Sequence, residues 1–371
     1  MKRKNSVGLS ESMQTILSSL ICILIGLFIG FLVLLAINPQ GAFRGIITII
    51  ENFMTFSKSA SRLKYFGTTL VKTAPLILCS LSVCFCYKVG LFNIGAAGQY
   101  TIGIATSLYL ALAFHMPWYI CLLGALIVGA FVGFIIGVLK AYQNVNEVIS
   151  GIMLNWIILY GTNTLLAKVK QPASPYTFGL ESTKAMLPTL GLDKLFGNKY
   201  MTIAVPLSIL IAVLVWIVLT KTKFGYELRA TGYNKNGARY AGMKEKKNII
   251  VTLMIGGALA ALGASLLYLT DFEQWATTSS SVPSMGFDGI AATFLGGLHP
   301  IGSIFSSYFI EHITLGGSYL DKSLYPSQIA DLISATIIYF SAFVLFMKVW
   351  YKHHQQMKLE KKQELQKGEE K

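Results

Sequence analysis

The stretch KTKFGYELRATGYNKNGARYAGMKEKKN, residues 221–248, is a polar, basic break between two apolar runs at 200–220 and 249–270. Lys221, Lys223, Arg229, Lys235, Arg239, Lys244, Lys246 and Lys247 stand in it against only Glu227 and Glu245. A helix crosses a bilayer core of roughly 30 Å with about 20 apolar residues, and both flanking runs reach that length. Lys and Arg beside span ends are retained on the cytoplasmic side, which places the break inside the cell. Gly225, Gly232, Gly237 and Gly242 allow sharp turns around a short helix predicted near 234–241. Such a segment is either an ordinary connecting loop or a docking element that takes mechanical work from a soluble partner.

The same reading extends along the chain. Of its 371 residues, 54% are hydrophobic and only 13% are charged. Apolar runs at Ile16–Ile37, Trp118–Leu139, Thr202–Thr220 and Ile329–Met347 are long enough to span. The fold class is therefore all-α: a polytopic integral membrane protein. Met1-Lys2-Arg3-Lys4 before the first run resembles the start of a signal peptide. The run is too long for one and lacks a small-residue cleavage site, so it reads as a retained span. Crossings are predicted near 15–37, 67–87, 94–114, 117–139, 147–167, 200–220, 249–270, 285–297, 301–316 and 327–348, about ten transmembrane helices in all. The pair at 285–297 and 301–316 is too short for full spans and reads as broken helices. With the amino terminus inside, both termini are cytoplasmic and most of the 31 Lys and Arg fall on the inner side. The chain reads as one transmembrane domain over 1–371, with halves at about 15–167 and 200–348 and a basic cytoplasmic tail at 349–371.

Several function classes are excluded. The net charge of +14 sits at span ends and in the tail, with no basic-aromatic platform for nucleic acid. Cys22, Cys79, Cys84, Cys86 and Cys121 all lie in apolar runs and read as small core residues, neither a disulfide frame nor a metal site. His115, His299 and His312 are isolated, and His353-His354 lies in the tail, so no metal is expected. No G-x-S-x-G elbow or H-E-x-x-H motif is present, and no catalytic residue is assigned. No G-x-x-x-x-G-K-[ST] loop is present either, so ATP would have to be handled by another polypeptide.

Between the first two crossings, Phe43–Phe56 carries apolar residues at Ile46, Ile49, Ile50, Phe53 and Phe56, one helical face predicted to lie flat on the outer membrane surface. The outer segment 168–199 contains Pro172, Pro175 and Pro188 and should lack long helices; it is a solvated connection or a contact for an external partner. Gly129, Gly133 and Gly137, and likewise Gly26 and Gly30, recur at a spacing that lets helices approach closely.

Two apolar runs are interrupted. Gly90–Gly103, GLFNIGAAGQYTIG, admits Asn93, Gln99 and several glycines; Gly286–Gly297, GFDGIAATFLGG, begins with Asp288. Ten crossings divided into two sets of five put these stretches third in each set, in opposite membrane orientation. Matched Gly-broken segments in two inverted five-helix halves point to a central transport pathway, although tight packing around a polar residue explains them equally well. Glu147 and Asn155, eight residues apart, fall near one face of the fifth crossing. Asn155 lies deeper and needs a hydrogen-bond partner, either a neighbouring helix or a solute. Glu311 and Asp331 should face protein or water. So few embedded acids argue against a proton- or sodium-driven carrier.

Four blocks resemble a known family. GLFNIGAAGQ at 90–99 is similar to its signature Gly-Leu-Phe-Asn-Ile-Gly-x-Glu-Gly-Gln, and NEVISGIMLNWI at 146–157 to its Asn-Glu-Val-Ile-x-x-Ile-Met-Leu-Asn segment. FGYELRATGYNKNGARYAGM at 224–243 resembles its cytoplasmic coupling loop, and GFDGIAATFLGGLHPIG at 286–302 the corresponding later segment. On these blocks, which span roughly 65–345, the chain is identified as similar to permease subunits of bacterial ABC importers for ribose, branched-chain amino acids and nucleosides. Within that group it is most similar to nucleoside (guanosine-type) permeases. It departs from the pattern at Ala97, where the family has Glu, and at Gly237, where Ala is usual.

The resemblance implies a multi-pass protein of the bacterial plasma membrane, embedded in membrane lipid, that moves a nucleoside inward by alternating access. Its substrate pathway would be lined by Phe92, Asn93, Gly95, Gln99, Asn155, Trp156, Phe287 and Asp288, the aromatics stacking on a base. A cytoplasmic ABC ATPase would dock on Gly225, Arg229, Gly232, Tyr233, Asn234, Arg239, Tyr240 and Gly242. The chain would bind no cofactor itself, ATP and magnesium being held by that partner. An extracellular substrate-binding lipoprotein and a second, different permease subunit complete the implied set. A permease for a sugar or related small polar solute, an ion-coupled secondary transporter, and a structural or regulatory membrane protein remain the alternatives.

Overall fold

The computed structural model describes residues 11–180, 184–326 and 328–341, and beyond them 343, 346, 347, 349, 350, 353 and 357. The basic amino-terminal residues, most of the tail and the side chain of Asp331 lie outside the described residues. The described secondary structure is helical, with only isolated bridges joining Lys170 to Thr177 and Tyr176 to Ala276.

Six helices among the described residues are long and apolar enough to cross a membrane. They are α1 (Glu11–Ile37, apolar from Leu17), α3 (Ser59–Lys88), α5 (Trp118–Gln143), α6 (Glu147–Leu166, extended by a 3-10 turn to Val169), α8 (Ala204–Lys221) and α11 (Glu245–Tyr268). The other predicted crossings correspond to helices that are shorter or more polar. These are α4 (Ala96–Leu112), α12 (Met285–Leu295), α13 (Pro300–Ser318) and α14 (Gln328–Ser341). At 1.5 Å per residue, α12 is only about 17 Å long and cannot cross alone.

The interior is built on α3 and α11. The apolar window of α3 is 89% buried and that of α11 is 72% buried, against 22% for α1 and 28% for α8. α11 packs along α5, α3 and α4. The predicted glycine stripe of α5 is the reason it can do so. A Cβ on Gly133 would lie 2.1 Å from the Leu253 carbonyl oxygen, and one on Gly129 would lie 2.5 Å from that of Gly257. Gly257 returns the contact, so the two backbones touch directly. Gly30 of α1 makes room instead for a side chain, that of Ile333 on α14.

The amphipathic segment begins earlier than expected, as α2 (Pro39–Glu51), capped by Asn38, whose side chain accepts from the Gln40 and Gly41 amides. Its apolar face does not lie on lipid alone. Ile49 is fully buried, and Gly316 of α13 sits against its backbone. Asn52, just beyond α2, donates to the His312 carbonyl oxygen at 2.9 Å, and His312 Nε2 lies 2.8 Å from the Ile50 carbonyl. His312 is thus a pin between α2 and α13 rather than an isolated side chain.

The outer segment 168–199 has no long helix among its described residues, as its prolines imply; its longest is α7 (Leu192–Phe196). It is nevertheless tied down. The Thr177 amide donates to the Trp275 carbonyl, Trp275 Nε1 donates to Asn163, and Asp271 accepts from the Leu180 amide.

The basic segment differs from expectation. The predicted short helix is α10 (Lys235–Tyr240), but a longer one, α9 (Lys223–Tyr233), precedes it. Gly225 and Gly232 are helical, and of the four glycines only Gly242 has a positive φ, 78°. Asn234 breaks the two helices apart and caps the second by accepting from the Gly237 amide at 2.9 Å.

Candidate functional site

The two interrupted stretches meet. Between α3 and α4 the chain runs through the turn Val89–Gly95, and the first turn of α4 packs on the first turn of α12. A Cβ on Gly286 would lie 2.4 Å from the Ala97 Cα. Ala97 itself is fully buried. Where the resembling pattern has Glu, this chain therefore has a fully buried methyl group on a residue whose backbone meets α12 at Gly286.

Within this junction Asn93 and Gln99 form a buried amide pair, 2% and 0% exposed. Asn93 Nδ2 donates to Gln99 Oε1 at 2.7 Å and to Ser82 Oγ at 2.9 Å, and the Ser82 hydroxyl donates in turn to the Gly256 carbonyl at 2.7 Å. Asn93 Oδ1 and Gln99 Nε2 are buried without a partner. An unsatisfied buried amide group costs about 1–3 kcal/mol, which makes this pair a candidate for binding a further polar group.

Asn155 plays a different part. Its Oδ1 accepts from the Gly98 amide at 2.8 Å and its Nδ2 donates to the Ile94 carbonyl at 3.1 Å. Both ends of the side chain are spent on the backbone entering α4, so Asn155 shapes this turn. Gly95 is held in the same grip, since a Cβ on Gly151 of α6 would lie 2.8 Å from its amide nitrogen.

The aromatic candidates do not converge. Phe92 is half-buried beside the amide pair, whereas Trp156 is 43% exposed on the outer flank of α6 and stacks on Tyr160. Phe287 is also exposed, at 39%. Asp288 is half-buried at the start of α12. It lies within electrostatic reach of Glu311, which is 6% exposed on α13. Lys72 on α3, 3.3 Å from Glu273, acts on Glu311 as well. This charged group also takes in Lys72 and Glu273, which the sequence did not single out, and Lys72 lies about 15 Å along α3 from the Ser82 that meets the amide pair; a lysine in mid-run of α3 was the available signal. Glu147, by contrast, is closed by Lys140 at 2.7 Å, bridging α5 and α6 at one end of the bundle.

The basic segment presents two faces. Tyr233 and Tyr240 are 96% and 93% exposed, and Arg229, Asn234, Arg239 and Gly242 are exposed with them. Gly225 and Gly232 face inward: a Cβ on Gly225 would lie 2.0 Å from the Val218 carbonyl oxygen of α8. Thr231 is fully buried and accepts from Asn248 Nδ2 at 2.8 Å, which fastens α9 to α11. No cluster of His, Cys, Asp and Glu able to hold a metal occurs among the described residues.

An arrangement of membrane-length helices around a polar, glycine-lined junction, with a basic projecting segment, suits passage of a solute better than chemistry on one. The class is that of a polytopic transport protein. Residues 65–342 match the model of the family described as branched-chain amino acid transport system / permease component, and the chain belongs to that family. It is thus a permease subunit of an ABC importer, a membrane component distinct from the subunit that hydrolyses ATP.

Among curated proteins it is similar to the guanosine ABC transporter permease protein NupP of Bacillus subtilis (strain 168), 33% identical over 90% of this chain and 94% of that one. It is 30% identical to the nucleoside ABC transporter permease protein NupB of Lactococcus lactis subsp. cremoris (strain MG1363), over 92% of this chain and 94% of the relative. A second guanosine permease of the same Bacillus strain, NupQ, is 30% identical over 68% of this chain and 82% of its own length.

Proposed function

We propose that this chain is one of two permease subunits of an importer that carries nucleosides inward across the bacterial plasma membrane, powered by a separate ATPase. One observation carries the choice of solute. The unpaired Asn93 Oδ1 and Gln99 Nε2 leave one acceptor and one donor unused in a buried junction, the two kinds of group by which a nucleobase edge is read. Similarity to the guanosine and nucleoside permeases supports the same reading.

In this account the pathway runs past Phe92, Asn93, Gln99 and Asp288, with Gly95 and Asn155 shaping the turn and Phe287 and Trp156 at its margins. The two halves, 15–167 and 200–348, form inverted sets that rock about the junction. The ATPase, carrying ATP and magnesium, docks from the cytoplasm on Arg229, Tyr233, Asn234, Arg239 and Tyr240. An external lipoprotein delivers the solute to the tied-down outer segment. The pairing of NupP and NupQ in one Bacillus strain supports a second, different permease beside this one.

The test is uptake of radiolabelled guanosine by a strain deleted for this chain, with and without its restoration. Restored uptake inhibited by unlabelled nucleosides but not by glucose is expected. Uptake inhibited by glucose alone, or no uptake of guanosine, rejects the solute assignment.

A further inference from the structure

A direct backbone contact joins the exposed coupling segment to the turn that leads to the buried amide pair. Gly232, the neighbour of Tyr233, faces inward. A Cβ there would lie 2.4 Å from the carbonyl carbon of Val89 and 2.6 Å from its oxygen. The turn answers with a glycine of its own. Gly90 has φ +75°, and a Cβ on it would lie 3.0 Å from the Gly232 carbonyl oxygen. Close-packed backbones have no side-chain rotamer with which to absorb a displacement, so strain passes across such a contact.

What the contact touches is the strand of chain that carries Asn93. The Val89, Gly90 and Leu91 amides close the end of α3 by donating to the Cys86 and Tyr87 carbonyls. Three residues after Gly90 comes Asn93, bonded to Gln99 in α4. Gly256 of α11 stands behind it, where a Cβ would lie 3.2 Å from Asn93 Nδ2. The amide pair also has two arrangements. With Asn93 Nδ2 donating to Gln99 Oε1, the remaining oxygen and nitrogen are unpaired; the exchanged arrangement, Gln99 Nε2 donating to Asn93 Oδ1, uses those atoms instead. A contiguous contact leading to a pair that can exchange its bond is an arrangement through which two sites can be coupled.

We infer that the contact of Gly232 with Val89 and Gly90 is the transmission between the ATPase docking helix and the solute-binding junction, with Gly232 as its positioning residue. Movement of α9 under the motor shifts the turn 89–95 and with it the Asn93–Gln99 pair. The inference rests on the reading of the chain as an ATP-driven importer.

The test uses the whole complex in liposomes and reads guanosine imported per ATP hydrolysed. Gly232→Ala should lower that ratio at least tenfold while the ATPase still co-purifies. Gly161→Ala, also in a helix but with nothing within 4 Å of the added carbon, should leave it unchanged. A ratio for Gly232→Ala within twofold of wild type overturns the inference. Should that variant fail to assemble, hydrogen exchange on the wild-type complex decides: adding ATP must change protection at 89–99 together with 228–233. A change confined to 228–233, or to neither, overturns it. A wild-type complex that hydrolyses ATP but moves no guanosine sinks the solute assignment alone and leaves the exchange result to judge the transmission.

Discussion

At the scale of single residues, Asn93 and Asn155 look alike in sequence and differ in what they hold. Asn155 spends both amide atoms on backbone, so Asn155→Ala strands the Gly98 amide and the Ile94 carbonyl in the interior. Each stranded group costs about 1–3 kcal/mol, and the variant should melt well below wild type and lose uptake with it. Asn93→Ala removes a side chain whose bonds go to other side chains. It strands Gln99 Oε1 but also removes the unpaired Asn93 Oδ1, so it should melt closer to wild type than Asn155→Ala yet lose at least tenfold in uptake. Thermal melting by fluorescence-detected gel filtration, paired with uptake, separates the two; equal melting temperatures would contradict the division of roles. Ala97 makes the complementary case. Ala97→Glu would put a carboxylate at a fully buried position in the tightly packed first turn of α4. Overpacking costs typically about 1–3 kcal/mol, and the buried charge adds to it. The variant should lose folded protein in the same melting assay, even though the resembling pattern carries Glu there.

Among the elements, glycine decided what was legible. In α5 the spacing of Gly129, Gly133 and Gly137 announced a close helix approach, and α11 supplies it. In the basic segment glycines of the same kind suggested turns, but Gly225 and Gly232 turned out to be the close-approach positions of a helix. Local sequence does not separate a glycine needed for φ from one needed for clearance, because both demand only the absence of a Cβ. The effect of the prolines at 172, 175 and 188 is legible in the sequence because a missing amide proton acts locally. The site divided along the same line. That 90–99 and 286–297 are interrupted was visible in the chain; that Ala97 meets Gly286, or that Trp156 turns away, depends on helix rotation that no local pattern carries. The α5–α11 contact gives its own prediction. Gly133→Leu would place a branched side chain where a Cβ is already 2.1 Å from the Leu253 carbonyl oxygen. It should abolish monodisperse protein in detergent, whereas Gly161→Leu should not; a folded Gly133→Leu variant would show that α5 can move off α11 at little cost.

For the molecule as a whole, the orientation of the bundle ties its parts together. Leu190, 80% exposed in the outer segment, and Asn236, exposed in α10, are separated by a single membrane-length helix, α8. If α8 spans, these two positions must lie on opposite sides of the bilayer. The basic excess of 221–248 then says which side is which. All five native cysteines are buried and free, so a reagent that does not cross membranes has only introduced thiols to find. On intact cells, a membrane-impermeant maleimide should label Leu190→Cys and spare Asn236→Cys; on inside-out vesicles the pattern should reverse. Labelling of both from one side would mean that α8 does not cross. The reversed pattern would keep α8 as a span but put the basic segment outside, out of reach of any cytoplasmic ATPase, and the transmission through Gly232 would then have nothing to transmit.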